Sequence, residues 1–292
     1  MKQLRKMFIA GMAVLTLAVL FGGVPVKAAS GVENMYENTS KNTKFYADLT
    51  GDNKKDTIRL KMTVDKECYF VQKLRIYVNG TKALTLRDKD SYYNVSATYI
   101  HMSKTKNFLQ VTGRGENDYC ALNRIYRYDT KTKKMICVLD LSSDYLVSDG
   151  ELVKATNKKI VLRHSYQPSE SGQIRWNYTY VYKNKKFKRV SDTATVKSTL
   201  GKFVQKDGYE KYFAKNQFVA ADSLRFYTST KMKKTAFSAK KGDVLTLKKI
   251  KIHGKRMYLQ FQKGKKTGWM EVNKSGSWNK TYFYGVRNRL AG

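Results

Sequence analysis

The sequence predicts an all-β, antiparallel protein in two parts, and three observations carry that prediction. Apolar and polar residues alternate with period two through most of the chain from Phe45 to about Val196, polar turns separate the alternating runs, and no segment sustains a long helical period. The aromatic share is 13%, with 21 Tyr against only 2 Pro, which fits a folded, strand-rich chain better than a disordered one.

The chain opens on a segment that is not part of that pattern. Lys2, Arg5 and Lys6 precede an almost wholly apolar run from Phe8 to Phe21, and Val26-Lys27-Ala28 supplies a small-residue cleavage site. The run is shorter than the roughly 20 residues a membrane span needs, and no second run of that length follows. Residues 1–29 are therefore expected to be a signal peptide, leaving an exported chain that starts near Ala29 or Ser30 without a transmembrane segment.

The strands follow in order. Ile58, Leu60, Met62 and Val64 alternate with Thr57, Arg59, Lys61 and Thr63, giving one buried and one wet face. Leu74, Ile76 and Val78 alternate likewise, and Asn79-Gly80 turns the chain into Ala83, Leu84 and Leu86; both turn residues tolerate positive φ. A second hairpin runs from Leu122 to Tyr128 and returns through Met135 to Leu141. A third sends Trp176, Tyr178, Tyr180 and Tyr182 out and returns after Lys183-Asn184-Lys185. Four aromatics on one strand face more often cover a β core than form a carbohydrate platform, so this stripe is read as core.

Between Lys197 and Gln217 the pattern loosens, with a Tyr209 to Asn216 stretch that suits one short helix. Beyond it Ser223 to Thr228, Val244 to Ile252, Met257 to Gln262 and Gly268 to Val272 read as short strands, with Gly242, Gly254 and Gly264 in the turns, as a small barrel requires. The expected division is 30–200 for the first β domain, 201–217 for a linker and 218–292 for the barrel.

Formal net charge is +34, and +30 once Lys2, Arg5, Lys6 and Lys27 leave with the signal. A surplus of this size concentrates polyanions without choosing among them. Outside a cell the candidates are anionic wall polymers, anionic lipid heads, acidic glycans and DNA. The lysines are spread along the chain with no nucleic-acid-binding motif, so a dedicated nucleic-acid ligand is not expected. Lys on exposed strand faces for solubility is the plainer explanation of the same charge. Cys68, Cys120 and Cys137 are odd in number, which excludes full pairing. The second hairpin sets Cys137 opposite Tyr126, too far along the strand from Cys120 for a disulfide, so all three are read as free, partly buried thiols.

The sharpest chemical feature is Asp48-Leu49-Thr50-Gly51-Asp52-Asn53-Lys54-Lys55-Asp56. Oxygen donors at Asp48, Thr50, Asp52 and Asp56, with the Lys54 carbonyl, suit a hard cation wrapped by a tight Gly turn. It is not an EF-hand, because Arg59 inside a strand holds the place of the bidentate Glu. The stretch resembles the calcium loops of FG-GAP and VCBS-type repeats, blade units of β-propellers, in which such a loop leads directly into a strand. The resemblance implies a weak Ca2+ site and a propeller-blade-like or sandwich domain. Thr50 supplies a neutral oxygen, Asn53 replaces a usual Gly, and Lys54 and Lys55 repel a cation. A loop of turn-forming residues that binds nothing explains the same sequence.

The C-terminal part resembles a bacterial SH3 domain of the secreted kind, in Leu224-Arg225-Phe226-Tyr227-Thr228-Ser229, Lys241-Gly242-Asp243-Val244-Leu245-Thr246-Leu247 and Lys266-Thr267-Gly268-Trp269-Met270-Glu271-Val272. The resemblance implies a small SH3-like barrel over most of 218–275 and attachment to peptidoglycan or another wall component. Tyr227, Tyr258, Trp269 and Trp278 are the candidate groove residues for a peptide or glycan, although strand alternation favours a core position for Trp269.

No Gly-x-Ser-x-Gly elbow, His-Glu-x-x-His or Cys-x-x-Cys is present, and His101, His164 and His253 fall in unrelated contexts. The expectation is a secreted, non-enzymatic, envelope-associated binding protein of a Gram-positive-type bacterium. A protein partner engaged by the first domain and an unrecognised wall hydrolase are the alternatives.

Overall fold

Alternation along each strand decides the architecture, because it gives most strands one apolar face that must meet another sheet. The computed structural model describes residues 31–34, 43–65, 67, 70–87, 92–115, 119–199, 208–272 and 280–286. The expected signal peptide, Cys68 and Trp278 lie outside them. Among the described residues no helix is long and apolar enough to cross a membrane.

The chain opens with β1 (Gly31–Asn34), then forms a four-stranded meander, sheet I, from β2 (Thr43–Ala47), β3 (Asp56–Val64), β4 (Val71–Val78) and β5 (Thr81–Leu86). Sheet II follows from β6 (Asn94–Ser103), β7 (Lys106–Arg114), β8 (Cys120–Asp129) and β9 (Lys134–Asp140), with β1 on the outer edge of β6. Sheet III begins with β10 (Gly150–Ala155), β11 (Lys159–Tyr166), β12 (Ile174–Lys183), β13 (Lys186–Arg189) and β14 (Thr193–Thr199). After the one-turn α1 (Glu210–Phe213) it continues through β15 (Gln217–Val219), β16 (Leu224–Tyr227), β17 (Thr235–Ala239), β18 (Val244–His253), β19 (Arg256–Lys263) and β20 (Lys266–Val272). The fold is all-β and sandwich-like, and every strand pair is antiparallel.

Sheet II is the middle layer of a stack. Val95, Ala97, Leu109, Val111 and Tyr126 face sheet I, in one cluster with Ile58, Leu60, Leu74 and Ile76. Ile100, Met102, Phe108 and Ile125, on the opposite face, join Ile160, Leu162, Trp176 and Tyr178 of sheet III. Double-sided burial explains why Phe108 to Val111 is a solid buried run with no alternation to read. The expected aromatic core stripe is there: Trp176, Tyr178 and Tyr180 are buried, with Tyr182 packed against them.

Turn chemistry sets the hairpins. Asn79 and Gly80, both at positive φ, join β4 to β5, and Asp129 pairs with Lys134 across the β8–β9 turn. That register places Cys137 opposite Tyr126. Cys120 is a buried thiol whose Sγ lies 3.4 Å from the Leu122 carbonyl; Cys137 is exposed, not partly buried, because it sits on the edge strand β9.

The C-terminal strands do not close into a barrel. Their path runs open from β18 through β19, β20 and β16 to β17, because the far edge of β18 is already occupied. Its first residues, Val244 to Thr246, pair with β15, and Lys249 to Lys251 pair with Thr193 to Thr195 of β14. Sheet III therefore crosses the 201–217 segment, and one hydrophobic cluster draws residues from both sides of it. Asp192 reinforces the crossing. Its carboxylate accepts from Arg189 at 2.7 Å and faces His253 Nδ1 at 2.9 Å, while its carbonyl accepts from the Tyr178 hydroxyl at 2.8 Å.

Candidate functional site

The Asp48–Asp56 loop links β2 to β3, and its carboxylates turn onto its own backbone. Asp48 Oδ1 accepts from Gly51 N at 2.7 Å and Asp52 N at 3.1 Å, and Oδ2 accepts from Asn53 N at 2.9 Å. Buried Asp56 accepts from Leu49 N at 2.7 Å, Thr50 N at 2.8 Å, Thr50 Oγ1 at 3.3 Å and Asn79 Nδ2 at 2.6 Å. Four donors offset the cost of burying that charge. Asp52 accepts from Lys54 N at 2.8 Å.

Two backbone positions make the turn. Gly51 sits at φ +81°, where a Cβ would come 2.9 Å from the Lys104 carbonyl, and Asn53 takes φ 67°, a conformation Asn tolerates. The Tyr99 hydroxyl, 2.9 Å from both the Asp48 carbonyl and Asn107 Oδ1, fastens the loop to sheet II. Burial, then the charges of Asp48 and Asp56, pushes the Tyr99 phenol up to about 12.

The donor set does not fit a calcium ion as arranged. Calcium takes six to eight oxygens, yet the Asp48 and Asp56 oxygens already accept N–H or O–H groups. Among the described residues no three His, Cys, Asp or Glu side chains converge as a metal-ligating group. The loop does what its hydrogen bonds do: it clasps β2, β3, the Asn79 turn and sheet II together.

Three of the four expected groove residues are described. Tyr227 of β16 stands opposite Trp269 of β20, and Trp269 stands opposite Gln260 of β19. Both aromatics are half-buried on the outward face, while Gly268 and Met270 point into the core. Trp269 is thus not a core residue: the alternation of β20 runs one place out of phase with the expected one. Tyr258 shares the face but is buried, so its ring is no open wall of a groove. Gly268 lets β16 approach, since a Cβ there would sit 2.7 Å from Phe226 Cβ. Lys249 and Lys251 lie beside Gln260 and Tyr258 across the β18–β19 pairing, and Arg256 lies 3.8 Å from Glu271.

The three histidines stand apart. His101 contacts Asn107 Oδ1 at 2.7 Å, and His253 is exposed beside Asp192. His164 is wholly buried, donating from Nδ1 to the Val147 carbonyl at 3.0 Å, with the Tyr180 hydroxyl 3.3 Å from Nε2. Burial outweighs that hydrogen bond and brings its pKa down to about 4.

The outer face of sheet I carries a cluster that no motif announces. Lys44 stands opposite Arg59, Arg59 opposite Tyr77 and Tyr77 opposite Lys82; the neighbouring row sets Lys61 opposite Arg75. A shallow cavity of about 290 Å³ opens there, lined by Thr57, Arg59, Lys61, Tyr77 and Gly80. The signal in the sequence lies in the wet positions of the alternating runs, which hold cations, Tyr and Thr but no acid.

Comparison with protein-family models, with curated proteins and with solved structures gives no match.

Proposed function

We propose that this is an exported, non-catalytic binding protein of a bacterial cell envelope whose C-terminal strands, beyond residue 218, engage peptidoglycan. The observation that supports this best is the outward-facing Tyr227–Trp269 pair, with Gln260, Lys249 and Lys251 beside it. Aromatic faces pack against the apolar faces of sugars, and amides and ammonium groups meet the hydroxyl and carboxylate groups of a glycan or its peptide stem. The secretion signal and the resemblance to secreted bacterial SH3 domains argue for the same ligand class.

The test is cosedimentation of the signal-free protein with purified peptidoglycan from which anionic polymers have been stripped. Trp269→Ala should weaken pelleting about tenfold, the worth of one good aromatic contact of about 1.4 kcal/mol. Wild-type protein that stays in the supernatant, or a variant that pellets equally well, rejects the reading.

A further inference from the structure

Among the described residues, the cations on the outer face of sheet I have no carboxylate counterpart. Several arginines elsewhere are matched, Arg114 with Asp149 at 2.7 Å, Arg124 with Asp140 at 2.9 Å and Arg189 with Asp192 at 2.7 Å, while Arg127, Arg175 and Arg225 stand singly on separate strands with no ion pair among the described residues. Among the described residues no acid pairs with Arg59, Lys61, Arg75 or Lys82, and Arg59, Lys61 and Lys82 are exposed. The groups oppose one another instead; repulsion from Arg75 and then Arg87 is the chief reason the Lys73 ammonium is held below its ordinary pKa. A sheet maintained with this repulsion gains from an anion laid across it.

We infer that the outer face of sheet I is a binding site for an extended phosphodiester polymer of the envelope, with Arg59 and Arg75 as its phosphate-gripping residues. Same-face side chains repeat at roughly 7 Å along a strand and 5 Å between strands, so the pleat presents cations as a grid to a chain of regularly spaced charges. A guanidinium holds two phosphate oxygens at once, which a lysine cannot do. The Lys61–Arg75 row carries no aromatic, while Tyr77 stands beside Arg59 and exposed Tyr46 shares the face, so the single-stranded DNA competitor decides whether bases stack there. The site is separate from the Tyr227–Trp269 face and takes from the proposed function only the envelope as the source of the polymer.

The experiment measures binding of the signal-free protein to long-chain inorganic polyphosphate across a salt series, with poly-L-glutamate and a mixed-sequence single-stranded DNA as competitors of equal charge. Arg59→Gln/Arg75→Gln should lower the slope of log K against log salt by about two, one for each phosphate no longer gripped, and weaken binding at least tenfold. Lys154→Gln/Lys158→Gln, an exposed pair elsewhere, should do neither. Arg59→Lys/Arg75→Lys keeps the charge and guards against a folding defect; it should bind polyphosphate more weakly with the salt slope unchanged. Equal losses from the Lys154 and Lys158 pair, or glutamate polymer binding as tightly as polyphosphate, overturn the site in favour of diffuse charge. Tighter binding of the DNA overturns the ligand class. Pelleting of the Arg59 and Arg75 variants with stripped peptidoglycan stays at the wild-type level, so failure of the C-terminal reading shows there and not here.

Discussion

The outer face of sheet I and the outward face of the C-terminal strands are built by the same alternation and differ in what fills the wet positions. Sheet I sets Arg59, Lys61 and Arg75 in adjoining rows with no acid among them. The C-terminal face sets Tyr227 against Trp269 and balances Arg256 with Glu271. Strand geometry thus provides the surface, and the choice of side chain at every second position decides whether that surface attracts charge or shape. Net charge alone would have merged the two.

Each face rests on a support that can be removed on its own, and acid removes what they share. Burial holds His164 neutral in the folded protein with a pKa of about 4, below its ordinary 6.5. The unfolded chain therefore takes up the proton first. Stability is complete above pH 6.5 and falls as pH drops toward 4, by on the order of 3 kcal/mol. Chemical denaturation of wild type and His164→Gln at pH 7, 5.5 and 4 should give a flatter acid limb for the variant. Sheet II packs on sheet I through one apolar cluster and on sheet III with the C-terminal strands through the other, so peptidoglycan and polyphosphate binding should fail together along that limb; loss of one without the other breaks the coupling.

Asp56→Ala comes next. Its buried carboxylate accepts four hydrogen bonds, and stranding those donors should cost about 2–3 kcal/mol, lowering the thermal midpoint and weakening polyphosphate binding first. Gly268→Ala is its counterpart on the other face: the added methyl meets Phe226 and should cost about 1–3 kcal/mol while selectively weakening peptidoglycan pelleting. Should each variant damage both activities equally, the faces are not independent. Calcium is the smallest effect. An ion in the Asp48–Asp56 loop must displace N–H groups from Asp48 and Asp56, so millimolar Ca2+ should move the melting temperature by less than about 1 °C; a rise of several degrees restores the metal reading.

Much of the strand order was legible because half-buried strands announce themselves. The β3, β4 and β12 alternations and the Asn79-Gly80 turn were each readable from local spacing. β7 was not, since both of its faces are covered and Phe108 to Val111 has no period. The open path of the C-terminal strands was hidden for a related reason: that β14 would take the edge of β18 depends on pairing between residues more than fifty apart, which no window reveals. Of the candidate site, the Asp48–Asp56 spacing was visible, but whether its oxygens point at an ion or at backbone N–H groups is a matter of side-chain direction. Trp269 shows the cost of one residue's error in phase, which exchanges core for solvent.

The three-residue ladder between Thr193–Thr195 and Lys249–Lys251 takes on a mechanical meaning once both faces hold a polymer. A protein gripped at sheet I by one chain and at Trp269 by another is a link under tension, and the load runs through this seam. Few backbone bonds cross it, yet Arg189, Asp192 and His253 bridge it and the apolar cluster beneath is continuous.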